Sequence, residues 1–448
     1  MGNGRCDVVV VGGGCAGLQA ADDLVEAGLD VVVLEARDRP GGRIRSHQFD
    51  DGQWCERGAE FVDANHARVL QLAGRLGLRT VPTDPAPRPH RSAPGDRPWD
   101  GRRLDVGGRV VGLSDLPGVL AEQRRWDDAV AELAEVVDPD DPTGGPTAGA
   151  LDGRSAAELL GSLDLSTAAR VLVGRELRTE FMVPPSELSL LHLAWLAARH
   201  RQAGDGREAF RIHGGFDQIA GGLTTAIRAA ARRDSAVRFD EPVLRVDAER
   251  GVVTTMAGEE LHADHVVLAL PPPALARLNV VPALPSEVLS IGMGVGAKVS
   301  TQYSRRVWLD HGSDGRVLSD RALGELWETT VGQAGDRGVL TTLLSSHDGA
   351  ALGALPDVER RIRQEVERLF PGSTGLALET VTTDWTNDPW ALGCYAAFAP
   401  GGLCAAWDAS RRRHGRVVQA GEHTSAFAGY VEGALESGSR AAATILSS

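Results

Sequence analysis

Near the start of the sequence a β-branched run, Asp7-Val8-Val9-Val10-Val11, leads straight into Gly12-Gly13-Gly14-Cys15-Ala16-Gly17. An apolar pattern at helical spacing follows from Leu18 to Ala27. Gly28 interrupts it, and residues 30–34 are apolar again up to Glu35. No other stretch limits the possible folds so tightly. A strand that is apolar at every position is buried on both faces, as in a parallel sheet. Gly12, Gly14 and Gly17 have the G-x-G-x-x-G spacing, with Ala16 beside the last of them. These glycines permit a tight turn, close approach of backbone to a diphosphate at a helix N-terminus, and close packing of helix on strand. Glu35 follows Gly17 by 18 positions, where a carboxylate can accept hydrogen bonds from ribose hydroxyls. The segment therefore predicts a βαβ unit that binds a dinucleotide.

That unit is a small part of 448 residues, which correspond to about three units of roughly 150 residues each. Stretches 82–105 and 138–153 are rich in Pro, Arg, Asp and Gly and read as loops. Helical patterns cover 115–136, 154–176, 186–201, 218–232, 357–370 and 431–446. Short strand patterns cover 210–215, 237–246, 252–256, 265–270 and 417–420, and strands alternate with loops over 296–345. The pattern predicts a discontinuous dinucleotide-binding domain made of 1–80, 207–286 and 387–448. A second, substrate-binding domain takes 81–206 and 287–386.

Composition removes several function classes. Acidic side chains outnumber basic ones, 61 to 47, for a net charge of −14. That excludes a basic face for nucleic acid and favours cationic ligands. The five cysteines are odd in number and widely spaced, so neither a disulfide framework nor a metal site is expected. No apolar run of about 18 residues occurs, so no membrane span is expected. The first strand begins too early for a signal peptide to precede it, and Met1-Gly2 lacks the Ser or Thr that myristoylation wants at position 6. A reduced, cytoplasmic protein is the expectation. Of the 47 basic residues, 46 are Arg and one, Lys298, is Lys. A lone lysine in that background marks a place where a compact ammonium does what a planar guanidinium cannot.

After Glu35 come Ala36-Arg37-Asp38-Arg39-Pro40-Gly41-Gly42-Arg43, a glycine pair followed by an arginine able to face a diphosphate bidentately. From Asp7 to Arg43 the sequence resembles the flavin-containing amine oxidases: monoamine oxidases and their bacterial, polyamine and amino-acid oxidase relatives. Other motifs agree in order. Arg57-Gly58-Ala59-Glu60-Phe61-Val62 resembles the family strand along the flavin. Arg211 to Gly215 with Asp217 resembles the return into the FAD domain, and Val243 the backbone contact to adenine. Trp385 and Gly393-Cys394-Tyr395 resemble the approach to the flavin ring. Gly421-Glu422 and Gly429-Tyr430-Val431-Glu432-Gly433 resemble the C-terminal flavin motif. Only 82–180 and 305–380 carry no placeable motif.

The resemblance implies an α/β fold, a glutathione-reductase-like FAD-binding Rossmann domain with an inserted α+β substrate domain. It implies FAD as cofactor, held by the residues just named. Lys298 matches the lysine that holds a water against flavin N5, and Tyr395 and Tyr430 match an aromatic pair before the flavin. Cys394 falls where mitochondrial relatives link the flavin covalently; a small buried thiol is the other reading. Glu60 stands where amino-acid oxidases of the family place an arginine for the substrate carboxylate. Either it faces the substrate and favours a second cationic group, or it is a structural residue behind the site.

The implied reaction is oxidative deamination of an amine, with hydride to flavin N5, hydrolysis of the imine, and reoxidation by dioxygen to hydrogen peroxide. The expected partners are a small-molecule amine and dioxygen, with a homodimer as the assembly considered. The rival activities are an L-amino-acid oxidase drawing its arginine from the 82–103 loop, and a biosynthetic desaturase. A non-enzymatic rival is a binding protein on the same scaffold, like the GDP-dissociation inhibitors.

Overall fold

The computed structural model describes residues 5–83, 103–112, 115–233 and 235–448. The arginine-rich segment proposed as an alternative carboxylate site lies mostly outside them.

Strand Arg5–Val11 is buried through Val8–Val11, as its unbroken apolar run requires. It lies between strands Glu260–Leu268 and Val31–Leu34, parallel to both. Strand Val237–Arg238 extends this sheet beyond Val31–Leu34. On the other side Glu260–Leu268 pairs in parallel with Val417–Gln419 and antiparallel with Val252–Thr255. Helix Cys15–Glu26 ends at Gly28, whose φ of +87° only glycine adopts readily. It packs on the last helix, Val431–Leu446. A β-carbon at Gly438 would lie 2.3 Å from the Ala16 carbonyl oxygen, so the two backbones touch where glycine allows it.

A second, seven-stranded sheet is mostly antiparallel. Its strand Gly296–Tyr303 is buried throughout, between Gly338–Ser345 and Ala377–Asp384. Alternation divides its side chains. Ala297, Val299 and Tyr303 enter an apolar core with Val358, Ile362 and Val366 of helix Val358–Leu369. Lys298 therefore points the opposite way, off that core. Each large apolar side chain so buried contributes about 2 kcal/mol.

Two expected elements are divided. The helical pattern at 154–176 is two helices, Ala156–Ser162 and Thr167–Phe181. Ser155 and Glu158 form a reciprocal cap on the first, and Ser166 caps the second through the Ala169 N–H. Two good N-caps make two starts more favourable than one continuous helix. The strand expected over 237–246 breaks between Val237–Arg238 and Val243–Asp247, where Asp240 takes a φ of +58° and Pro242 follows.

Candidate active site

A cavity of about 1300 Å³ is lined by residues of both sheets and their connecting loops. Two helix N-termini open onto it. Helix Cys15–Glu26 starts behind Gly14 and helix Val431–Leu446 behind Tyr430, and neither has a side-chain cap. Their first-turn N–H groups lack partners within the helix and carry partial positive charge. A β-carbon at Gly14 would meet nothing within 4 Å, because the space before it is open. Gly12, at φ +105°, is needed for a different reason: a β-carbon there would sit 2.6 Å from the Ala269 carbonyl oxygen. A cavity with two uncapped helix starts in its wall fits FAD, whose diphosphate and flavin edge would lie before them.

Nearly every residue expected at the cofactor lies in this wall. The adenosine end has Glu35, Ala36, Arg37 and Val243; Gly42, Gly58, Ala59, Phe61, Trp385, Gly421 and Val431 line the remainder. Gly17 is the exception. A β-carbon there would lie 2.0 Å from the Gly12 carbonyl oxygen, so Gly17 serves the packing of turn on helix. Glu35 accepts from the N–H groups of Gly13 (2.6 Å) and Arg37 (2.9 Å), which fix its carboxylate. Spare lone pairs on both oxygens remain for ribose hydroxyls.

Arg43, expected to face a diphosphate, lines the cavity. Its Nη1 donates to the Cys394 carbonyl (2.8 Å) and to Glu422 Oε1 (2.9 Å). Glu422 also accepts from the N–H groups of Ala396 (3.1 Å) and Gly429 (2.7 Å). Burial alone would raise the Glu422 carboxyl, but Arg43 and these donors hold it below its usual range. Arg43 and Glu422 together tie the fingerprint loop to both tyrosine-bearing segments.

Lys298 Nζ donates to Glu60 Oε2 at 2.6 Å and to the Gly58 carbonyl at 3.1 Å. One ammonium hydrogen is left for a water in the cavity. Glu60 Oε1 accepts from Arg211 Nε (2.9 Å), Trp327 Nε1 (3.1 Å) and Thr329 Oγ1 (2.6 Å). Only 2% of the Glu60 side chain is exposed. Burial would raise its carboxyl, yet Lys298 and Arg211 outweigh burial and hold it down to about 2. This corrects the substrate-facing reading of Glu60. Two cations neutralise its charge and four donors occupy its oxygens, so it is the structural residue behind the site.

Tyr395 and Tyr430 line the same cavity, and a β-carbon at Gly429 would stand 3.6 Å from the Tyr395 ring. Burial pushes both phenols well above their ordinary range. Cys394 lines the wall too, its Sγ 3.8 Å from the Gly296 carbonyl, and burial pushes its thiol up to about 12.

Residues that sequence reasoning missed surround the far end: Glu180, Arg207, Glu208, Glu325 and Trp327. One signal for Glu180 was legible. It stands in the last turn of helix Thr167–Phe181, where the helix dipole disfavours an acid. Among the described residues no cluster suited to a metal ion occurs, and no helix is long and apolar enough to cross a membrane.

The sequence profile of the flavin containing amine oxidoreductases matches residues 15–446. An L-amino acid dehydrogenase of Synechocystis sp. is 27% identical, over 98% of this chain and 95% of its own. Among solved structures, putrescine oxidase bound to putrescine superposes with a TM-score of 0.85 at 26% identity, covering 99% of both chains. Cyclohexylamine oxidase from Brevibacterium oxydans superposes with a TM-score of 0.83 at 27% identity and the same coverage.

Proposed function

Because the chain belongs to the flavin-containing amine oxidoreductase family, we propose that it oxidises small primary or secondary amines lacking an α-carboxylate. The observation that carries this reading is the convergence of Lys298, Tyr395 and Tyr430 on one cavity beside the uncapped helix at Val431. FAD, when bound, supplies the two-electron acceptor that takes hydride from the carbon bearing nitrogen and passes the electrons to dioxygen.

The chain's own part is positioning and polarisation. Tyr395 and Tyr430 present neutral aromatic surfaces to a slender amine, with weak attraction between ring and nitrogen. Lys298, clamped by Glu60 and the Gly58 carbonyl, keeps one hydrogen free to hold a water in the cavity. The N-terminus of helix Val431–Leu446 stabilises negative charge developing before it. Beyond the tyrosines, Glu180, Glu208 and Glu325 outnumber Arg207, which suits a cation better than an anion.

A peroxide-coupled assay tests this, comparing kcat/KM for an amine with the matching α-amino acid. The amine is expected to win by about tenfold or more, a difference of roughly 1.4 kcal/mol. The second reading, an L-amino-acid oxidase or dehydrogenase, is favoured by Arg207 in the cavity wall, a cation that could pair a carboxylate. An amino acid ahead by the same margin overturns the amine reading, and Arg207→Ala would then abolish that preference.

A further inference from the structure

The hydroxyl ends of the two tyrosines lie close to Glu180, one on its backbone carbonyl and the other on His200, the neighbour of its carboxylate. Tyr395 Oη donates to the Glu180 carbonyl oxygen at 2.9 Å. Tyr430 Oη is 2.9 Å from His200 Nε2, and that nitrogen is 3.9 Å from Glu180 Oε1. The Glu180 carboxylate lies beside the histidine that holds Tyr430 and in the same cavity wall as both tyrosines, with 35% of its side chain exposed. Its nearest cation, Arg207, stands at 3.6 Å, beyond hydrogen-bonding range.

We propose that Glu180 is the base that takes a proton from the substrate's ammonium group before the amine nitrogen passes the tyrosines. The inference rests on the amine reading above. A free alkylamine is mostly protonated at neutral pH, and its nitrogen has no lone pair to assist loss of hydride. In the step, one N–H bond breaks and its electron pair stays on nitrogen. The proton forms an O–H bond on the Glu180 carboxylate. Ammonium and carboxylate become amine and carboxylic acid, with no change in net charge or oxidation state. The acid later returns its proton to cavity water.

The surroundings suit that task. Removal from bulk water pushes the Glu180 carboxyl up to about 7; Arg207 pulls it down, while Glu208, Glu325 and Asp63 push it further up. A carboxylate tuned close to neutrality both receives and releases a proton readily. His200, beside it, is driven well below its ordinary range by burial and by Arg207 and His66, so it does not hold the proton. The two tyrosines stay neutral phenols.

Two measurements on the FAD-loaded enzyme test the proposal. The first compares a basic alkylamine with a β-fluorinated amine already neutral at assay pH. Glu180→Gln should slow the basic amine by about tenfold or more at neutral pH, recover it at high pH, and leave the fluorinated amine nearly untouched. Equal losses for both amines overturn the proposal while leaving the amine reading intact. If the wild-type enzyme oxidises neither, the amine reading itself fails. The second is a pH profile of kcat/KM for the basic amine in both proteins. The wild-type profile should bend near neutrality, where Glu180 loses its proton, and that bend should be absent from Glu180→Gln. A bend near neutrality that persists in Glu180→Gln overturns the proposal.

Discussion

Lys298 Nζ lies 2.6 Å from Glu60 Oε2, and the other oxygen of Glu60 accepts from Arg211, Trp327 and Thr329. The lysine comes from the strand next to one edge of the second sheet, and the glutamate from the loop after strand Trp54–Glu56. A buried ion pair adds little net stability by itself. Its effect here is directional: it decides which way the only lysine of the chain points.

Lys298→Met should slow turnover with the best amine by at least about tenfold, roughly 1.4 kcal/mol of barrier, while the purified variant stays yellow. Glu60 keeps Arg211 and two neutral donors, so the variant retains its fold. Anaerobic and aerobic stopped-flow absorbance would show which half-reaction is slowed. Unchanged rates in both would assign Lys298 to structure alone.

Glu60→Gln should lower activity without altering the preference between a diamine and a monoamine of equal length. The carboxylate is turned to Lys298 and Arg211, and these two cations already neutralise its charge. Ratios of kcat/KM for the two amines, measured in both proteins, check this. A diamine preference lost in Glu60→Gln would restore the substrate-facing role.

Gly14→Leu should give a colourless protein with near wild-type circular dichroism. Gly14 has a φ of −75°, which any residue accepts, and open space before it. The added side chain strains nothing and only fills the room a diphosphate needs. Full retention of flavin in this variant would move the cofactor elsewhere.

Cys394 lines the cavity, and we expect it to carry the flavin as a thioether. After acid precipitation the colour should stay in the pellet, and Cys394→Ala should release it to the supernatant. A yellow wild-type supernatant means the thiol is only a small packing group.

Glu56 makes a pH-dependent contribution to stability. Burial pushes its carboxyl from 4.5 up to about 8, and the charge of Glu60 adds to the rise. The folded chain thus holds a proton that the unfolded chain gives up. Stability falls as pH rises from about 4.5 to about 8, since the folded state binds more protons in that window. Glu56→Gln should flatten this slope and gain in Tm relative to wild type as pH rises. Parallel melting curves for the two proteins across the window would contradict the assignment.

What could be read without coordinates was local. The strand, glycine turn and helix from Asp7 to Glu35 follow from residues within one turn of one another, so spacing alone carried the cofactor cradle. Ser166, a good N-cap inside the helix pattern at 154–176, was equally legible, and reading it would have divided that pattern. Lys298 stood out by composition, and strand alternation sets its direction.

The partners of buried charges were not local. Glu60 meets Lys298 across 238 residues of sequence and Arg211 across 151, and nothing near Glu60 announces either. Whether that carboxylate repels a substrate or steadies a lysine depends on which cations the folded chain brings within 3 Å. Arg43 likewise turned to Glu422, 379 residues away. Glu180 gained its place only when helix Thr167–Phe181 came to rest beneath Tyr395 and beside His200. A charge takes its role from its nearest opposite charges and its distance from water, and for side chains far apart in sequence the tertiary fold alone sets both.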